Sequence, residues 1–600
     1  MRIARLRIEN FRGIASGELL FSGHTAIVGD NNSGKSTILE AIDLVLGPER
    51  LARRPVVDEH DFYAGRYLND DGPPIQIRIE GVVVGLSDEQ KRHFRDHLEW
   101  WDNCSSKLLE GPPPERTDDP DVAEALRVEF VGQYDNEEDD FTGQTYFVSP
   151  TLDDGNRSPF RTPDKRLCGF LFLRTLRTGS RALSLERGSL LDIILRLQEK
   201  RLHMWEDMLE QLRVLPVADK PELGVSETLS TVQAAVRKFV PSDWAENPHM
   251  RVSDLTREHL RRVLTVFMST GATSQDGSQH AAPFQHQGTG TINTLVLALL
   301  SQIAELKQSV IFAMEEPEIA LPPHAQRCII DNVKSKSAQA IFTSHSPYVL
   351  EEFPPSHVLV VRRDTGTLTA IPATYPPAVK PKAYRSEFRA RFCEALLARR
   401  VLIAEGRTEF DAFPVAARRL QDLAPAEFTS LEGLGIATID AQTDSQLVQL
   451  GEHFTRLGKT VLAVFDRQSP DAKAAIEAAI PHAFESPEAG FEDVLVNGVV
   501  EPALRRFVSA LVANGNWPPH LAATTPTDTT SLDDLKAALR AYLKWAKGAG
   551  GAADLLAACN VDEMPAYVVN TLRAIRATVS PPVSSVPGST ETPVEEQEAK

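Results

Sequence analysis

A chain of 600 residues is longer than one hydrophobic core usually serves, so several domains are expected. At 42% hydrophobic and 24% charged residues it reads as globular, and a net charge of −19 excludes a surface that is basic throughout, so nucleic acid would have to be met by a local patch. The five cysteines (Cys104, Cys168, Cys328, Cys393, Cys559) form no C-x-x-C pair, which argues against a zinc site or a disulfide framework, and no window is apolar for long enough to span a bilayer. A soluble protein of a reducing cytoplasm, with no membrane partner, is the expectation.

In chain order, "MRIARLRIENFRGIASGELLF" alternates apolar and polar residues about a Gly-containing turn and predicts a β-hairpin. It feeds "HTAIVGDNNSGKSTILEAIDLVL" (24–46), in which Gly29, Gly34, Lys35 and Ser36 satisfy G-x-x-x-x-G-K-[ST] between an apolar run and a helical one. Strands are predicted at 74–85, 125–135, 144–150 and 167–176, and helices at 188–215 and 227–240. A helix at 291–308 precedes a buried strand at 309–318, a strand and helix start at 339–353, and a hairpin at 357–374. The Pro-containing stretch that follows reads as a linker, after which a second α/β pattern begins at 399, and the Pro-, Ser-, Thr- and Glu-rich end has little to bury.

In the loop at 29–36 the glycines let backbone N–H groups turn towards phosphates, Lys35 adds a point charge, and Ser36 supplies a magnesium ligand. Asn31, Gly34 and Thr37 complete the candidate ATP contacts, and the helix that begins at Lys35 points its positive end at the same anions. Farther on, Val310 to Met314 run into Glu315 and Glu316: an acid at a strand end can hold the magnesium shell, and the next carboxylate can polarise the attacking water. His345, in "FTSHSP", ends the following strand within reach of a γ-phosphate.

The set Asn10-Phe11-Arg12, the loop at 29–36, Glu315 with Glu316, and His345 resembles the ABC-type ATPases that include RecF, Rad50 and SMC proteins. The resemblance implies that Arg12 belongs to the nucleotide site. It also implies a signature loop, for which "HQGTGTINTL" (286–295) offers Gly288, Thr289 and Gly290 before a helix but no Ser-Gly-Gly-Gln. Gly290 in that role would meet ATP held by a second subunit, so a homodimer is expected.

The second constellation starts at "VLIAEGRTEF" (401–410), with Glu405 at a strand end, Gly406 at the turn and Glu409 in the first turn of a helix; "TVLAVFD" (460–466) ends in Asp466. Carboxylates at the ends of adjacent parallel strands converge at the carboxyl edge of a sheet. Such oxygen-rich sites suit magnesium or manganese, and two ions about 4 Å apart can activate water and stabilise a phosphodiester's leaving oxygen. The pattern resembles the Toprim domain, with one departure: residues 466–468 read Asp-Arg-Gln instead of Asp-x-Asp. Glu488 or Glu492 is the preferred substitute ligand among the nearby acids Asp471, Glu485, Glu488 and Glu492.

An ABC-type ATPase followed by a Toprim domain resembles the OLD (overcoming lysogenization defect) family, and the Lys-bearing segment 543–572 is most similar to its class 2 members. The resemblance implies an α/β fold throughout: ATPase head at 1–177 and 261–374, helical insertion at 178–260 open to dimerisation or to an ordinary packed layer, linker at 375–397, Toprim nuclease core at 398–498, helical element at 499–579 and disordered tail at 580–600. It implies DNA cleavage with ATP and Mg2+ (Mn2+ or Ca2+ as alternatives at the Toprim site), ATPase control, a helicase partner, and a setting of phage defence or DNA processing.

With a ligand acid missing, a fixed cation gains importance, and Lys547, before the flexible "GAGG", is the candidate, with Lys544 as fallback. Arg385, Arg389, Arg391, Arg399 and Arg400 form a basic run beside the Toprim entry, open to phosphate contact or to plain solvation. Two other functions compete: a RecF-like DNA repair clamp without nuclease activity, which would not need Glu405, Glu409 and Asp466 together, and a tyrosine-linked topoisomerase, for which the chain has no obvious DNA-gate domain.

Overall fold

A computed structural model describes residues 1–48, 50, 55–69, 72–111, 119–151, 157–173, 184–185, 189–198, 201–214, 225–241, 256–273, 277–306, 310–319, 321–375 and 389–579. The tail at 580–600, the loop core at 112–118 and Arg385 lie outside the described residues. The chain divides into two compact units, Met1–Pro372 and Ala373–Lys600. Among the described residues no helix is long and apolar enough to cross a membrane.

The first unit is built on a 14-stranded sheet of two characters. Its parallel part runs Phe170–Leu173, Ile311–Glu315, Gln339–Thr343, Thr25–Val28 and Val358–Asp364, side by side. Parallel strands are covered on both faces, and the sequence complies: Thr25–Val28 and Gln339–Thr343 are buried at every position. Thr367–Pro372 turns the sheet into its antiparallel part, where Arg2–Phe11 lies between Ile14–Leu20 and Ile77–Val84. There, Ile3, Leu6 and Ile8 are buried while Arg7 is exposed, the alternation of a strand with one covered face. The helix Lys35–Leu46 lays Ile38, Leu39, Ile42 and Leu46 on this sheet within a single core. Two buried hydrogen bonds to Leu44 O, from Lys165 Nζ (2.6 Å) and Thr145 Oγ1 (3.2 Å), tie down its far end.

The strand expected at 167–176 begins later: Thr162–Cys168 is helix, Gly169 ends it with a left-handed φ of 68°, and Phe170–Leu173 pairs, while 174–176 lie outside the described residues. In the helical insertion, Leu190–Leu197 packs on Thr289–Leu306, and Leu185, Trp205 and Leu260 form a small core. The hairpin Phe267–Thr273 with Gln279–Pro283 was not anticipated.

The second unit holds a four-stranded, wholly parallel sheet in the order Ile436–Asp440, Arg400–Ala404, Thr460–Phe465, His482–Glu485. The chain leaves Arg400–Ala404 through helix Arg407–Leu423 to one neighbour, then returns through Asp444–Arg456 to the other. The direction of winding therefore reverses at the carboxyl ends of Arg400–Ala404 and Thr460–Phe465, where open α/β sheets place their ligands. The expected linker at 375–397 is corrected at its end: Arg389–Leu397 is a helix, because Phe392, Cys393, Ala395 and Leu396 are buried there. The helices after 499 are no appendage, since Leu539, Leu555, Leu556 and Val568 belong to the same core as Leu402 and Val464.

Candidate active sites

The first site surrounds the turn between Thr25–Val28 and Lys35–Leu46. Gly34 opens the helix with φ 99°, a conformation that strains any side chain, and a Cβ on Gly29 would stand 2.4 Å from Val361 O. Lys35 is 8% exposed and its ammonium donates to the carbonyls of Gly29 (2.8 Å) and Asp30 (2.9 Å). Burial pulls its pKa down against the opposing pull of Glu316, Asp30 and Glu318. A buried cation whose described hydrogen bonds go to carbonyls suits a polyanion. Asn31 and Ser36 are exposed, and Thr37 half-buried, around the helix start.

Glu315 ends its strand, and Glu316 takes φ 45°, left-handed for a residue with a side chain, with its N–H on Thr343 O (2.9 Å). Glu316 acts electrostatically on both Lys35 and His345, so the three sit together. Burial first, then Lys35, lowers the His345 pKa, which leaves a neutral imidazole at neutral pH. Sequence reasoning gave Glu318 no role, yet it orders this corner: Oε1 accepts from the His345 N–H (2.6 Å) and Oε2 from Ser344 Oγ (2.9 Å). The signal available was an acid at fixed spacing, Glu-Pro-Glu, after a buried strand.

Arg12, at φ 51°, gives its guanidinium to Asp61 (2.7 Å) and to Glu40 of the loop's own helix (3.5 Å). It braces the N-terminal hairpin against that helix. Gly288 accepts the N–H groups of Thr291 and Ile292 where helix Thr289–Leu306 begins, and Gly290 lies in that first turn.

The second site lies at the switch point of the smaller sheet. Glu405 and Asp466 follow adjacent strands, and Glu405 Oε2 accepts from the Asp466 N–H (2.8 Å) and from Gln468 Nε2 (3.2 Å). Gln468, standing where the Toprim pattern has an acid, thus orients Glu405. Glu409, 5% exposed, reaches the same place from the first turn of Arg407–Leu423. Burial, then Asp466, pushes the Glu409 pKa up to about 8. Burial, then Glu405 and Glu492, pushes Asp466 up to about 7. Asp466 Oδ1 is buried and has no hydrogen-bond partner.

Of the two substitute acids, Glu492 joins this field, with Oε1 on Thr408 Oγ1 (3.1 Å), whereas Glu488 accepts from Asn497 (3.2 Å). Glu485 is taken by Lys473 (2.8 Å) and the Gln468 N–H (3.1 Å). Lys547 Nζ is 3.6 Å from Glu492 Oε1 and lowers the pKa of Asp466, so the sequence's distant lysine does arrive at the acids. Among the described residues no three His, Cys, Asp or Glu side chains already form a metal-holding group, so these acids are neighbours short of a closed cage. From the basic run, Arg400 is used inside the fold, donating to Leu434 O (2.7 Å), and Arg391 lies over the Phe410 ring (4.3 Å) beside Asp440 (3.8 Å).

Comparison with known proteins agrees with the first site and extends beyond it. The family described as AAA ATPase domain matches residues 1–93 and 189–350. The Old nuclease of Escherichia phage P2 is 23% identical over 454 residues, 68% of this chain and 68% of that protein. The OLD nuclease of Thermus scotoductus is 24% identical over 433 residues, 67% of this chain and 71% of the other. Among solved structures, the SMC head domain from Thermotoga maritima aligns with 62% of this chain and 99% of its own at 14% identity, with a TM-score of 0.27. The chain is similar to the OLD nucleases, and its N-terminal unit, of mixed α/β fold, matches the AAA ATPase domain family.

Proposed function

We propose that this protein is an ATP-regulated, metal-dependent DNA endonuclease of the Toprim type, working in phage defence or DNA processing. The observation that carries the reading is the convergence of Glu405, Glu409 and Asp466 at the switch point of a parallel sheet, with Asp466 Oδ1 buried and unbonded. A set of carboxylate oxygens fits Mg2+ or Mn2+, and divalent charge is what would relieve the crowded acids. Glu405, Glu409 and Asp466 would hold the metal with Glu492, which takes the place of the missing acid. A metal bound there supplies Lewis acidity and an activated water.

The chain's own residues do the rest. Gln468 and the Asp466 N–H fix Glu405, and Lys547 offers a cation to the charge that develops on the scissile phosphate. In the first unit Lys35 holds the ATP phosphates, Ser36 and Glu315 the magnesium shell, Glu316 orients water, and His345 meets the γ-phosphate. Gly290 of one copy would close the site of another, which makes a homodimer the working form; class 2 membership and a helicase partner follow from the family resemblance, and a cytoplasmic setting from the scattered cysteines.

The test is incubation of supercoiled plasmid with Mg2+ or Mn2+, with and without ATP, comparing wild type with Glu405→Ala. Metal-dependent nicking or linearisation that the variant lacks is expected. DNA binding with no cleavage under any metal would instead favour a repair clamp.

A further inference from the structure

Helix Leu532–Trp545 ends in an indole that the fold fixes from one side and leaves open on the other. Trp545 is 53% exposed. Its ring is 6.0 Å from Tyr542 and 5.7 Å from His520. Tyr542 in turn stacks on Trp517 (5.5 Å, 12° between planes), and Trp517 is held by its own Nε1–H on Leu521 O (3.1 Å). A chain of buried rings thus sets the outer one in place before any ligand arrives. Leaving so large an apolar ring half in water forgoes burial the rest of this helix achieves through Leu535, Leu539, Tyr542 and Leu543.

The surroundings identify what would cover it. Lys544 precedes the ring and Lys547 follows two residues later, both exposed, with Lys547 Nζ 3.6 Å from Glu492 of the acidic centre. Lys536, Arg540 and Lys544 succeed one another at four-residue spacing, the spacing of one helix face. Arg540 is taken by Asp493 (2.5 Å), so the cations beside the ring are Lys544 and Lys547, and Lys547 stands against the acids proposed to cut DNA. Aromatic faces beside lysines form the combination that holds single strands: the bases stack while cations follow the backbone.

We infer that Trp545 is a stacking platform for an unpaired base of the DNA strand entering the acidic centre, with Lys544 and Lys547 on the flanking phosphates. The inference rests on the nuclease reading for its location and adds the substrate class: a single strand, flap or frayed end. An intact duplex keeps its base faces covered and gives Trp545 nothing to stack on.

Binding of a fluorescently labelled single strand and of a relaxed, covalently closed duplex circle containing the same sequence, which has no end to fray, is measured on the full chain in EDTA, at one fixed salt concentration. Trp545→Ala should weaken single-strand binding by about 10-fold or more, while Trp545→Phe stays within about 3-fold of wild type. Duplex binding should change by less than about 2-fold in both variants. Wild-type single-strand binding by Trp545→Ala, or equal loss on strand and duplex, overturns the inference. So does a smaller assembly of Trp545→Ala in sedimentation, which would show the indole covered by a second copy. Because EDTA prevents cleavage, this result is separate from the plasmid assay: Trp545-dependent strand binding without any cutting would keep the platform and remove the nuclease.

Discussion

The two candidate sites are electrostatic opposites. At the nucleotide loop of the first unit one buried ammonium, Lys35, donates to backbone carbonyls and its pKa is driven down. In the second, several carboxylates share a half-buried edge and two of their pKa values are driven up. Burial alone moves acids up and bases down, so both shifts report desolvation. What distinguishes the sites is the ligand that would undo the shift: an anion at Lys35, a divalent cation at Asp466. One chain therefore carries two incomplete charge sets of opposite sign, in separate units, which is the arrangement expected if ATP and the cleavage metal are handled independently.

The largest effects should separate the two sites completely. Lys35→Ala removes the anion's partner and should abolish ATP binding while leaving the acids intact, and Glu405→Ala should lower DNA cleavage by about 10³-fold or more while ATP hydrolysis continues. Nucleotide binding, phosphate release and plasmid nicking measured on both variants give the comparison. If Glu405→Ala also stopped ATP hydrolysis, the independence argued above would be wrong.

Within the first site, Glu316→Gln is the sharper probe. The left-handed turn at Glu316 and its shared field with Lys35 and His345 place it where it can orient water, so the amide should keep ATP bound but slow hydrolysis by about 10²-fold. Unchanged turnover would move the role to Glu318 or elsewhere.

How much of this was legible in the sequence differs between the sites for a physical reason. The nucleotide loop is contiguous, so spacing alone revealed Gly29 to Ser36, and an apolar run ending in Glu315 and Glu316 revealed its partner. The acidic centre is assembled from segments far apart in sequence: Glu405, Glu409, Asp466, Glu492 and Lys547 could be named from it, but not the contacts between them. The strand Ile436–Asp440 went unnoticed because its short "IATID" carries a Thr that breaks the apolar run, so the edge strand beside Arg400–Ala404 was missed although Glu405 and Asp466 were expected at the ends of adjacent strands. Glu318 and Gln468 act through hydrogen bonds to other functional groups, which no composition or periodicity registers. Helix Arg389–Leu397 was legible only as a basic helix face, since the burial of Phe392 and Leu396 is decided by the sheet it covers.

Inside the second site Lys547 should matter less than the carboxylates. If its cation serves the developing phosphoryl charge as proposed, Lys547→Ala should reduce cleavage by about 10- to 100-fold with metal affinity intact, and Lys547→Arg should recover part of the loss. Calorimetric titration with Mn2+ beside the nicking assay separates this from a defect in metal binding; full cleavage by the Ala variant would eliminate the role.

The smallest effect is on stability, and it tests the charge comparison without any catalysis. Glu409 and Asp466 bind protons in the folded chain up to about pH 8 and about pH 7, whereas unfolded carboxylates release them near their ordinary values of 4.5 and 3.8. Between these limits the folded state holds more protons than the unfolded one, so stability is fully retained at low pH and falls as pH rises through 7 and 8. In EDTA the full chain should therefore melt lower at alkaline than at mildly acidic pH, by an amount of the order of a few degrees. Asp466→Asn deletes one of the crowded charges and should flatten that dependence. Added Mg2+ should do the same for wild type, since a divalent ion displaces the protons and replaces the repulsion with attraction. A wild-type pH dependence matched by Asp466→Asn, and untouched by Mg2+, would mean that the carboxylates are not the crowded set their burial implies.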